Sequence, residues 1–586
     1  MNFFKRCCIT AVFLATVLSI VGACKKSPAN PDPGPGGEEP GNKDTTVVRP
    51  VTDPAVSKTM GFFLNDWQPK NFVAPAYTEV SAVSTATANT VTIDASSIIS
   101  KIPLSVFSHN ANTWMTPMVT EPKLLTALTT LHPHIIRWPC GSCSDVYFWN
   151  QPENTPPADA PAEIMDNNGV IKAPGYWYGR TNNNWSASLD NYYSVLQQTG
   201  NRGMITVNYG YARYGTSENP VATAAHLAAD WVRYDNGRTT YWEIGNETYG
   251  EWEWGYRIDV SKNKDGQPEY VTGQLYGQHF QVFADSMRKA ASETGKTIYI
   301  GATMYESAPQ SWQSNAVKTW NSGLFNGIGD NADFYIVHNY FTPYNENSTA
   351  LTILNAATTV PGEMINLAKT NIGLGSASVK PIALTEYNMW AKDSKQQVSN
   401  VSGLFAAIVL GESLKAGYGF AARWDLLNGW ENGNDHGLFS DGNEPGVPKW
   451  TARPSYYYLY YLQQFLGDRL VPAPIIGNTA LRAYASTYTS GQAAVSLLNT
   501  SKSAITVEIK TKNFRKGTRF YYYTLEGGND NGEFSAKVLI NGTGPTISAG
   551  GPDNFTLIKA NASNTLNGIK VTVPALGAVF TVIDKE

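Results

Sequence analysis

The sequence predicts an α/β protein in which a (β/α)8 TIM barrel is followed by an antiparallel β-sandwich. Two observations predict this fold. From about residue 103 onward, eight short apolar runs alternate with helical stretches, and after residue 467 the pattern changes to period-two alternation between Gly and Asn turns. Nearly continuous apolar runs indicate parallel strands that are buried on both faces, and eight such strands close a barrel.

The barrel is assigned to residues 103–467. A doubly wound open sheet is the alternative, but no Gly-rich dinucleotide-binding fingerprint follows the first apolar run. Helical stretches between the runs include EPKLLTALTTLH (121–132), PVATAAHLAADWVRYD (220–235) and GQLYGQHFQVFADSMRKAASETG (273–295). The eight expected strands are LSVF (104–107), HIIRW (134–138), GMITVN (203–208), TYWEIG (240–245), TIYIG (297–301), DFYIVH (333–338), PIALTE (381–386) and YGFAARW (418–424).

The C-terminal sandwich is assigned to residues 468–586. Segments such as AITVEIKT and IKVTVPALGAVFTVI alternate apolar and polar residues, as strands with one buried face do. Residues 56–102 contain a similar stretch at 76–101, before the barrel begins. We expect these N-terminal strands to join the C-terminal sheet.

The first residues have the character of a targeting signal. Residues 1–23 have a basic start, an apolar stretch and small residues before Cys24, which predicts a signal peptide. The VGAC ending resembles the lipobox of bacterial lipoproteins, which implies cleavage before Cys24 and lipidation of its thiol. Residues 24–55 are rich in Pro and Gly and predict an extended tether. The expected location is the bacterial cell envelope, with a lipid anchor in the outer membrane; a plain signal peptide is the alternative.

Composition narrows the class of partner. The net charge is −4 and no block of Lys or Arg occurs, which argues against a nucleic-acid partner. The chain has 16 Trp and 32 Tyr, whose flat faces can hold sugars or fill cores. Cys140 and Cys143 stand in a CGSC motif, where a local disulfide is possible and a thioredoxin-like redox role is the alternative. Seven scattered His show no metal spacing, so we expect no metal and no cofactor.

Polar residues cluster after the expected strands, where the C-terminal ends of barrel strands form the functional site. The Glu at the ends of strands four and seven would face each other across the barrel. The candidates, in chain order, are Asn112, Arg137, Asn208, Asn246, Glu247, His338, Tyr340, Glu386 and Trp424.

Two carboxylates in this arrangement suit the cleavage of a glycosidic bond. One must protonate the leaving oxygen and the other must act on the anomeric carbon; a separation of about 5–5.5 Å gives retention of configuration. Asn246 can hydrogen-bond the sugar 2-hydroxyl, and Tyr340 can orient the nucleophile. Arg137 is either a site residue or a core ion-pair partner, and Glu243 is expected to be a buried, paired carboxylate.

These segments resemble clan A of the glycoside hydrolases, and within it the α-L-arabinofuranosidases of glycoside hydrolase family 51. YWEIGNETYGEW resembles the acid/base segment and LTEYNMW the nucleophile segment, which implies Glu247 as acid/base and Glu386 as nucleophile. IVHNYF is similar to the family's His-x-Tyr at strand six, and IIRWPCGSCSDVYFW to its motif after strand two. The resemblance covers roughly residues 76–586 and implies the same barrel and sandwich.

The chain departs from the family pattern at two positions that would touch the sugar. Asn112 stands where the family has a Glu after strand one, and Ser142 replaces a sugar-binding Asn. The resemblance therefore leaves the sugar open.

The sequence as a whole predicts an exported retaining glycosidase that acts on plant or algal polysaccharides or oligosaccharides and is most similar to α-L-arabinofuranosidases. A β-glycosidase or endo-glycanase of the same clan is one alternative, since aromatic loops such as EWEWGY (251–256) can provide extra subsites. A non-catalytic, surface glycan-binding lipoprotein is the other.

Overall fold

Eight parallel strands form a closed barrel in the computed structural model, which describes residues 51–181, 183–528 and 532–586. Strand order around the ring follows the chain, with β8 paired to β1. The predicted fold class is confirmed. The strands are β1 (Ser108–Asn110), β2 (Ile135–Trp138), β3 (Arg202–Val207), β4 (Thr239–Ile244), β5 (Tyr299–Thr303), β6 (Phe334–Asn339), β7 (Ile382–Tyr387) and β8 (Phe420–Arg423).

Helices alternate with the strands, and the helix Asn400–Ala416 is buried on nearly all sides. Among the described residues, no helix combines the length and apolar character that a membrane crossing requires. The helices are α1 (Pro122–Leu131), α2 (Leu189–Thr199), α3 (Gly210–Tyr214), α4 (Pro220–Asp235), α5 (Gly273–Glu293), α6 (Asn315–Ile328), α7 (Ala350–Leu374), α8 (Asn400–Ala416) and α9 (Pro454–Phe465).

The first predicted strand was misassigned. Residues Leu104–Phe107 form a 3-10 helix, and β1 begins only at Ser108. This turn is buried, and it is stabilised by hydrogen bonds from Ser105 Oγ to the carbonyl of Gly419 and from Ser108 Oγ to the carbonyl of Ser105. A short buried turn and a short buried strand give the same apolar run, so the sequence pattern could not separate them.

The barrel also corrects the expected placement of strands four and seven. Only β5 and β6 separate β4 from β7, so the two strands are three positions apart in the ring and not diametrically opposed. Side chains from β6 therefore lie between those of β4 and β7.

An N-terminal 3-10 helix, Gly61–Leu64, covers the bottom of the barrel. Phe63 is 2% exposed and packs with apolar side chains that begin the strands, including Met204 and Phe420. Phe62 stacks on Tyr299 with 3.8 Å between ring centroids. This end of the barrel is thus filled by apolar side chains.

The remaining β-structure forms a two-sheet sandwich around a separate apolar core. Three N-terminal strands (Tyr77–Glu79, Thr90–Asp94 and Ser100–Lys101) pair with C-terminal strands, and so join the chain before the barrel to the chain after it. The larger sheet orders Tyr77–Glu79, Ala560–Asn564, Lys516–Glu526, Gly577–Lys585, Ala493–Asn499, Leu481–Thr487, Arg469–Val471 and Ser100–Lys101, with Leu539–Ile540 paired to Lys516–Glu526; the smaller orders Ile475–Ile476, Thr90–Asp94, Ile505–Lys512 and Ile569–Val573.

Short elements complete the fold. Between β2 and α2, Tyr147–Pro152 pairs with Tyr178–Arg180, and Ile164–Met165 pairs with Ile171–Lys172. Further 3-10 turns are Ser142–Val146, Gln396–Val398, Glu431–Gly433 and Phe555–Leu557. The predicted signal peptide, Cys24 and the tether up to residue 50 lie outside the described residues.

Truncating the aromatic side chain that covers the barrel bottom should destabilise the whole domain. Because Phe63 is nearly fully buried, we expect Phe63→Ala to lower the free energy of unfolding by about 3–5 kcal/mol, measured by urea denaturation. Val73→Ala, at an 84% exposed position of the same N-terminal segment, serves as the control and should change little. Equal effects of the two substitutions would show that this segment does not pack on the barrel.

Candidate active site

A fully buried arginine organises the C-terminal end of the barrel. Arg137, from β2, has no exposed surface. Its Nε donates to Glu243 Oε2 at 2.5 Å and its Nη2 to Asn246 Oδ1 at 2.8 Å. Its Nη1 donates to Asn110 Oδ1 at 2.9 Å and to Glu386 Oε2 at 3.3 Å. One cation thus contacts groups from β1, β4 and β7 and from the loop after β4.

Charge balance around Arg137 comes first from Glu243 on β4. Glu243 is also fully buried and accepts a second hydrogen bond from Thr206 Oγ1 at 2.7 Å. Burial alone would lower the pKa of Arg137, but Glu243 and Glu386 outweigh it, and the pKa is raised. Glu243 therefore forms the buried ion pair that the sequence suggested, and Arg137 is both a core ion-pair partner and a neighbour of the site.

Glu247 is placed by a sharp turn after β4. Gly245 adopts φ +76°, and a Cβ there would lie 2.4 Å from Thr248 Oγ1, so the turn requires glycine. Glu247 Oε2 accepts a hydrogen bond from Trp252 Nε1 at 2.8 Å, and Oε1 lies 3.2 Å from His338 Nδ1. The side chain keeps 17% of its surface exposed, so solvent and ligands can reach it.

Glu386 lies within β7 and is more deeply placed. Its side chain is 7% exposed. Oε1 accepts a hydrogen bond from the Tyr340 hydroxyl at 2.7 Å, while Oε2 faces Arg137. One carboxylate oxygen of Glu386, one of Glu247 and a ring nitrogen of His338 all lie within 4.8 Å of one another. The structure therefore brings the two predicted carboxylates together at one point.

Electrostatics differentiates the two carboxyls. Burial raises the pKa of both Glu247 and Glu386. At Glu247 the Trp252 N–H opposes this rise. At Glu386 the nearby Glu247 carboxylate adds to the rise, whereas the Arg137 guanidinium and the Tyr340 hydroxyl oppose it. The two carboxyls therefore have different surroundings, with an indole N–H at Glu247 and a guanidinium and a hydroxyl at Glu386.

His338, from β6, separates the two carboxyls. Burial lowers the pKa of His338, so the imidazole is neutral near pH 7. Its Nε2 lies 2.9 Å from Thr385 Oγ1. Within the part of the chain that the structure describes, Glu247, His338 and Glu386 are the three side chains close enough to hold a metal ion. The adjacent Arg137 already supplies a positive charge, which disfavours a second cation there.

Gly141, in the loop after β2, packs beside the carboxyl pair. A Cβ at Gly141 would lie 3.5 Å from Glu386 Oε2, 3.4 Å from the Trp424 ring and 3.6 Å from Asn246 Nδ2. The loop is closed locally by a disulfide between Cys140 and Cys143, with 5.8 Å between Cα atoms. A methyl group at position 141 would thus already contact Glu386, Trp424 and Asn246.

The sequence-predicted residues separate into two groups. Six of them lie next to Glu247 or Glu386, or contact a residue that does: Arg137, Ser142, Asn246, His338, Tyr340 and Trp424. Asn112 and Asn208 differ. Asn112 has no exposed surface, and its amide donates to Asp425 and, at 2.9 Å, to the carbonyl of Leu427.

Asn208 is likewise committed to local structure. Its Oδ1 accepts from the Tyr211 backbone N–H at 2.8 Å, and its Nδ2 contacts the Tyr214 hydroxyl at 3.3 Å and the Tyr147 carbonyl at 3.4 Å. Asn112 and Asn208 thus hold loops in place, and their role in sugar binding stays a prediction. Amide side chains satisfy loop backbone groups as readily as ligands, which explains the difference.

Sequence reasoning did not single out four residues at the site. Trp252 lies in the aromatic EWEWGY loop, so composition gave a signal for the loop but not for its contact with Glu247. Gly141 has no side chain, so the sequence gave no chemical signal for its place at the site. Glu253 and Asp145 come from two different loops, and no local pattern links them.

No protein-family model matches the chain. Two curated relatives, both named "Probable alpha-L-arabinofuranosidase C", from Aspergillus flavus and Aspergillus terreus, are 23% and 22% identical over 296 residues. The match covers 46% of this chain and 50% of each relative, so the chain spans about half the length of the curated relatives it matches.

Solved structures share the fold along most of the chain. An α-L-arabinofuranosidase from Thermotoga maritima superposes with a TM-score of 0.56 at 17% identity, covering 84% of this chain and 99% of that one. A family 51 α-L-arabinofuranosidase from Bifidobacterium longum gives 0.59 at 14% identity, with 86% and 100% covered. A glycoside hydrolase family 44 endoglucanase from Clostridium thermocellum gives 0.52 at 14% identity, with 85% and 99% covered. At these low identities, the superpositions show a shared fold.

Removing the Trp252 donor should change the pH dependence of any reaction that uses Glu247 as an acid. Because the indole N–H lowers the pKa of Glu247 against the effect of burial, Trp252→Phe should raise it further. The protonated acid would then persist to higher pH, and the basic limb of kcat/KM should move upward, as measured with an aryl glycoside across pH.

Trp312→Phe is the matched control for this substitution. Trp312 is an 80% exposed indole on the loop after β5, whereas Trp252 is 58% exposed on the loop after β4. The control should leave the pH profile unchanged. A downward or absent shift for Trp252→Phe would contradict the assignment of Glu247 as the acid.

Proposed function

We propose that the protein is a retaining glycoside hydrolase, similar in activity to the α-L-arabinofuranosidases. One observation carries the proposal: the carboxylate oxygens of Glu247 and Glu386 approach within 4.8 Å at the open end of the barrel. This agrees with the separation of about 5–5.5 Å that double displacement needs. The names of the two Aspergillus relatives support arabinofuranosides as the first substrates to test.

The first step forms a glycosyl-enzyme. Ionised Glu386 attacks the anomeric carbon while Glu247 gives its proton to the glycosidic oxygen, so the bond to the leaving alcohol breaks as the bond to Glu386 forms. In the second step Glu247, now ionised, takes a proton from water, and the water oxygen displaces Glu386. Two inversions return the original configuration.

The surroundings fit these roles. Arg137 and the Tyr340 hydroxyl stabilise the negative charge on Glu386 before the attack and after its release. Neutral His338 lies against both carboxyls without adding a fixed charge. Trp424 and Asn246 lie close to Glu386 around Gly141, so the loop after β2 borders the carboxyl pair.

An endo-glycanase of the same clan is the second candidate. Large aromatic side chains stand exposed on the loops at the open end of the barrel: Trp252 (58%), Trp312 (80%) and Tyr344 (76%). Exposed rings of this kind can stack against further sugar units of a polymer. Product sizes from polysaccharide digests separate an endo-acting enzyme from an exo-acting one.

Substitution of the two carboxyls should separate their roles. We expect Glu386→Gln to lose turnover on every substrate in a panel of aryl α-L-arabinofuranosides, β-xylosides, β-glucosides and β-galactosides. Glu247→Ala should keep more activity on aryl glycosides with good leaving groups, which need little protonation. Steady-state kinetics against leaving-group pKa measures both.

Two outcomes would contradict the proposal. Equal loss across leaving groups in Glu247→Ala would remove its acid/base role. A wild-type protein that hydrolyses no member of the panel but binds polysaccharide would instead indicate a glycan-binding protein.

We further propose that the protein is exported and lipid-anchored through Cys24. The basic start, apolar stretch and VGAC ending of the N-terminal segment support this. Expressed in a Gram-negative host, the wild-type protein should fractionate with the membranes, and Cys24→Ser should release it to the soluble fraction. Cys143→Ser is a control that removes a cysteine outside the signal. Membrane association of Cys24→Ser would refute the anchor.

A further inference from the structure

The loop after β4 carries another buried carboxylate beside the catalytic pair. Glu253 is 5% exposed. Its Oε1 accepts hydrogen bonds from Asn246 Nδ2 at 3.0 Å and from Ser142 Oγ at 2.8 Å. The double-displacement steps do not use Glu253, yet it holds two residues that lie beside Gly141, in the part of the site that borders Glu386.

The neighbours of Asn246 allow its amide only one orientation. Arg137 offers N–H donors and no acceptor, so Asn246 Oδ1 must face the guanidinium, at 2.8 Å. Glu253 then takes one of the two hydrogens on Nδ2. Neither contact uses the other hydrogen, and Nδ2 lies 3.6 Å from a Cβ placed on Gly141, beside Glu386. Asn246 is therefore presented to a ligand as a donor.

Ser142 is presented with the opposite polarity. Its hydroxyl hydrogen is given to Glu253, so only the oxygen lone pairs remain available. The residue is exposed, and it follows Gly141 directly in the chain. Ser142 can therefore accept a hydrogen bond from a ligand hydroxyl.

The carboxyl of Asp145 lies beside Glu253, and the two carboxyls together can hold one proton. Glu253 Oε2 is buried and has no donor among the other protein groups, and the carboxyl of Asp145 lies against it. Burial raises the pKa of both Asp145 and Glu253, and their proximity raises that of Asp145 further. One proton held between the two carboxyls satisfies Oε2 and leaves Oε1 as the acceptor.

We propose that Glu253 is a positioning residue that sets the hydrogen-bonding polarity of the sugar site, with a donor at Asn246 and an acceptor at Ser142. The inference rests on the proposed glycosidase function. A sugar hydroxyl beside Asn246 accepts from Nδ2 and can donate to Glu386 Oε2, which lies 3.5 Å from a Cβ placed on Gly141. Such a bond strengthens as the transition state forms, so Glu253 acts on kcat through Asn246.

Paired substitutions of Glu253 test the proposal. Glu253→Ala releases Asn246 and Ser142 and should lower kcat about 10- to 100-fold with KM changed less than about 3-fold. Glu253→Gln keeps an oxygen acceptor on Oε1 and turns its amide toward Asp145. It should therefore retain kcat within about 3-fold of the wild type. A residue needed only for folding would not give this split.

A double-mutant cycle shows whether Glu253 acts through Asn246. Adding Glu253→Ala to Asn246→Ala should cost less than about 2-fold further in kcat. Asp235→Asn is the matched control. Asp235 is a buried acid at the opposite end of β4, 1% exposed, and it accepts from Tyr193 and the Thr239 backbone N–H, both at 2.8 Å. This control should lower the Tm and leave kcat unchanged.

Three results would overturn the inference: wild-type kcat in Glu253→Ala, equal losses for Glu253→Ala and Glu253→Gln, or additive losses in the cycle. A wild type that is inert on every glycoside would instead refute the proposed function. Crystal structures of Glu253→Ala and the wild type then decide the inference without turnover. A displaced Asn246 amide supports it, and an amide in the same place overturns it.

Discussion

The contact between buried Arg137 and the groups around it is the constraint on which the site depends. A guanidinium with no exposed surface must be paired, since an uncompensated buried charge is costly. Glu243 supplies the fixed negative charge, and Glu386 a second one that can be exchanged for a covalent bond to a sugar. The same cation that stabilises this end of the barrel therefore also favours the ionised form of Glu386, the proposed nucleophile.

The barrel makes this arrangement possible because it brings strand ends that are distant in sequence to one point. Arg137, Glu243 and Glu386 come from β2, β4 and β7, while Asn246 and Glu247 follow directly after the Gly245 turn. The apolar side chains around Phe63 fill the opposite end. The polar layer is therefore supported from below by packing and from the sides by paired strands, and its side chains need little rearrangement when charge develops.

The sequence allowed the architecture to be predicted because parallel strands buried on both faces leave a clear apolar signal. It failed at Leu104–Phe107, where a buried turn has the same composition as a strand. Glu247 and Glu386 could be predicted because a carboxylate at the end of a buried strand indicates either an ion pair or a catalytic role. For Asn112 and Asn208 a role in sugar binding stays a prediction, because an amide can satisfy a loop equally well. The Asp145–Glu253 pair joins two loops, and only the folded chain shows it.

The identity of the nucleophile is the central claim, and trapping the covalent intermediate tests it most directly. In a 2,4-dinitrophenyl 2-deoxy-2-fluoro glycoside of the best substrate sugar, the fluorine slows both steps and the good leaving group speeds only the first. The covalent intermediate therefore accumulates. We expect time-dependent inactivation, and mass spectrometry of the digested protein should locate one glycosyl group on Glu386. A label on another residue, or rapid turnover with an inverted first product by NMR, would contradict the account.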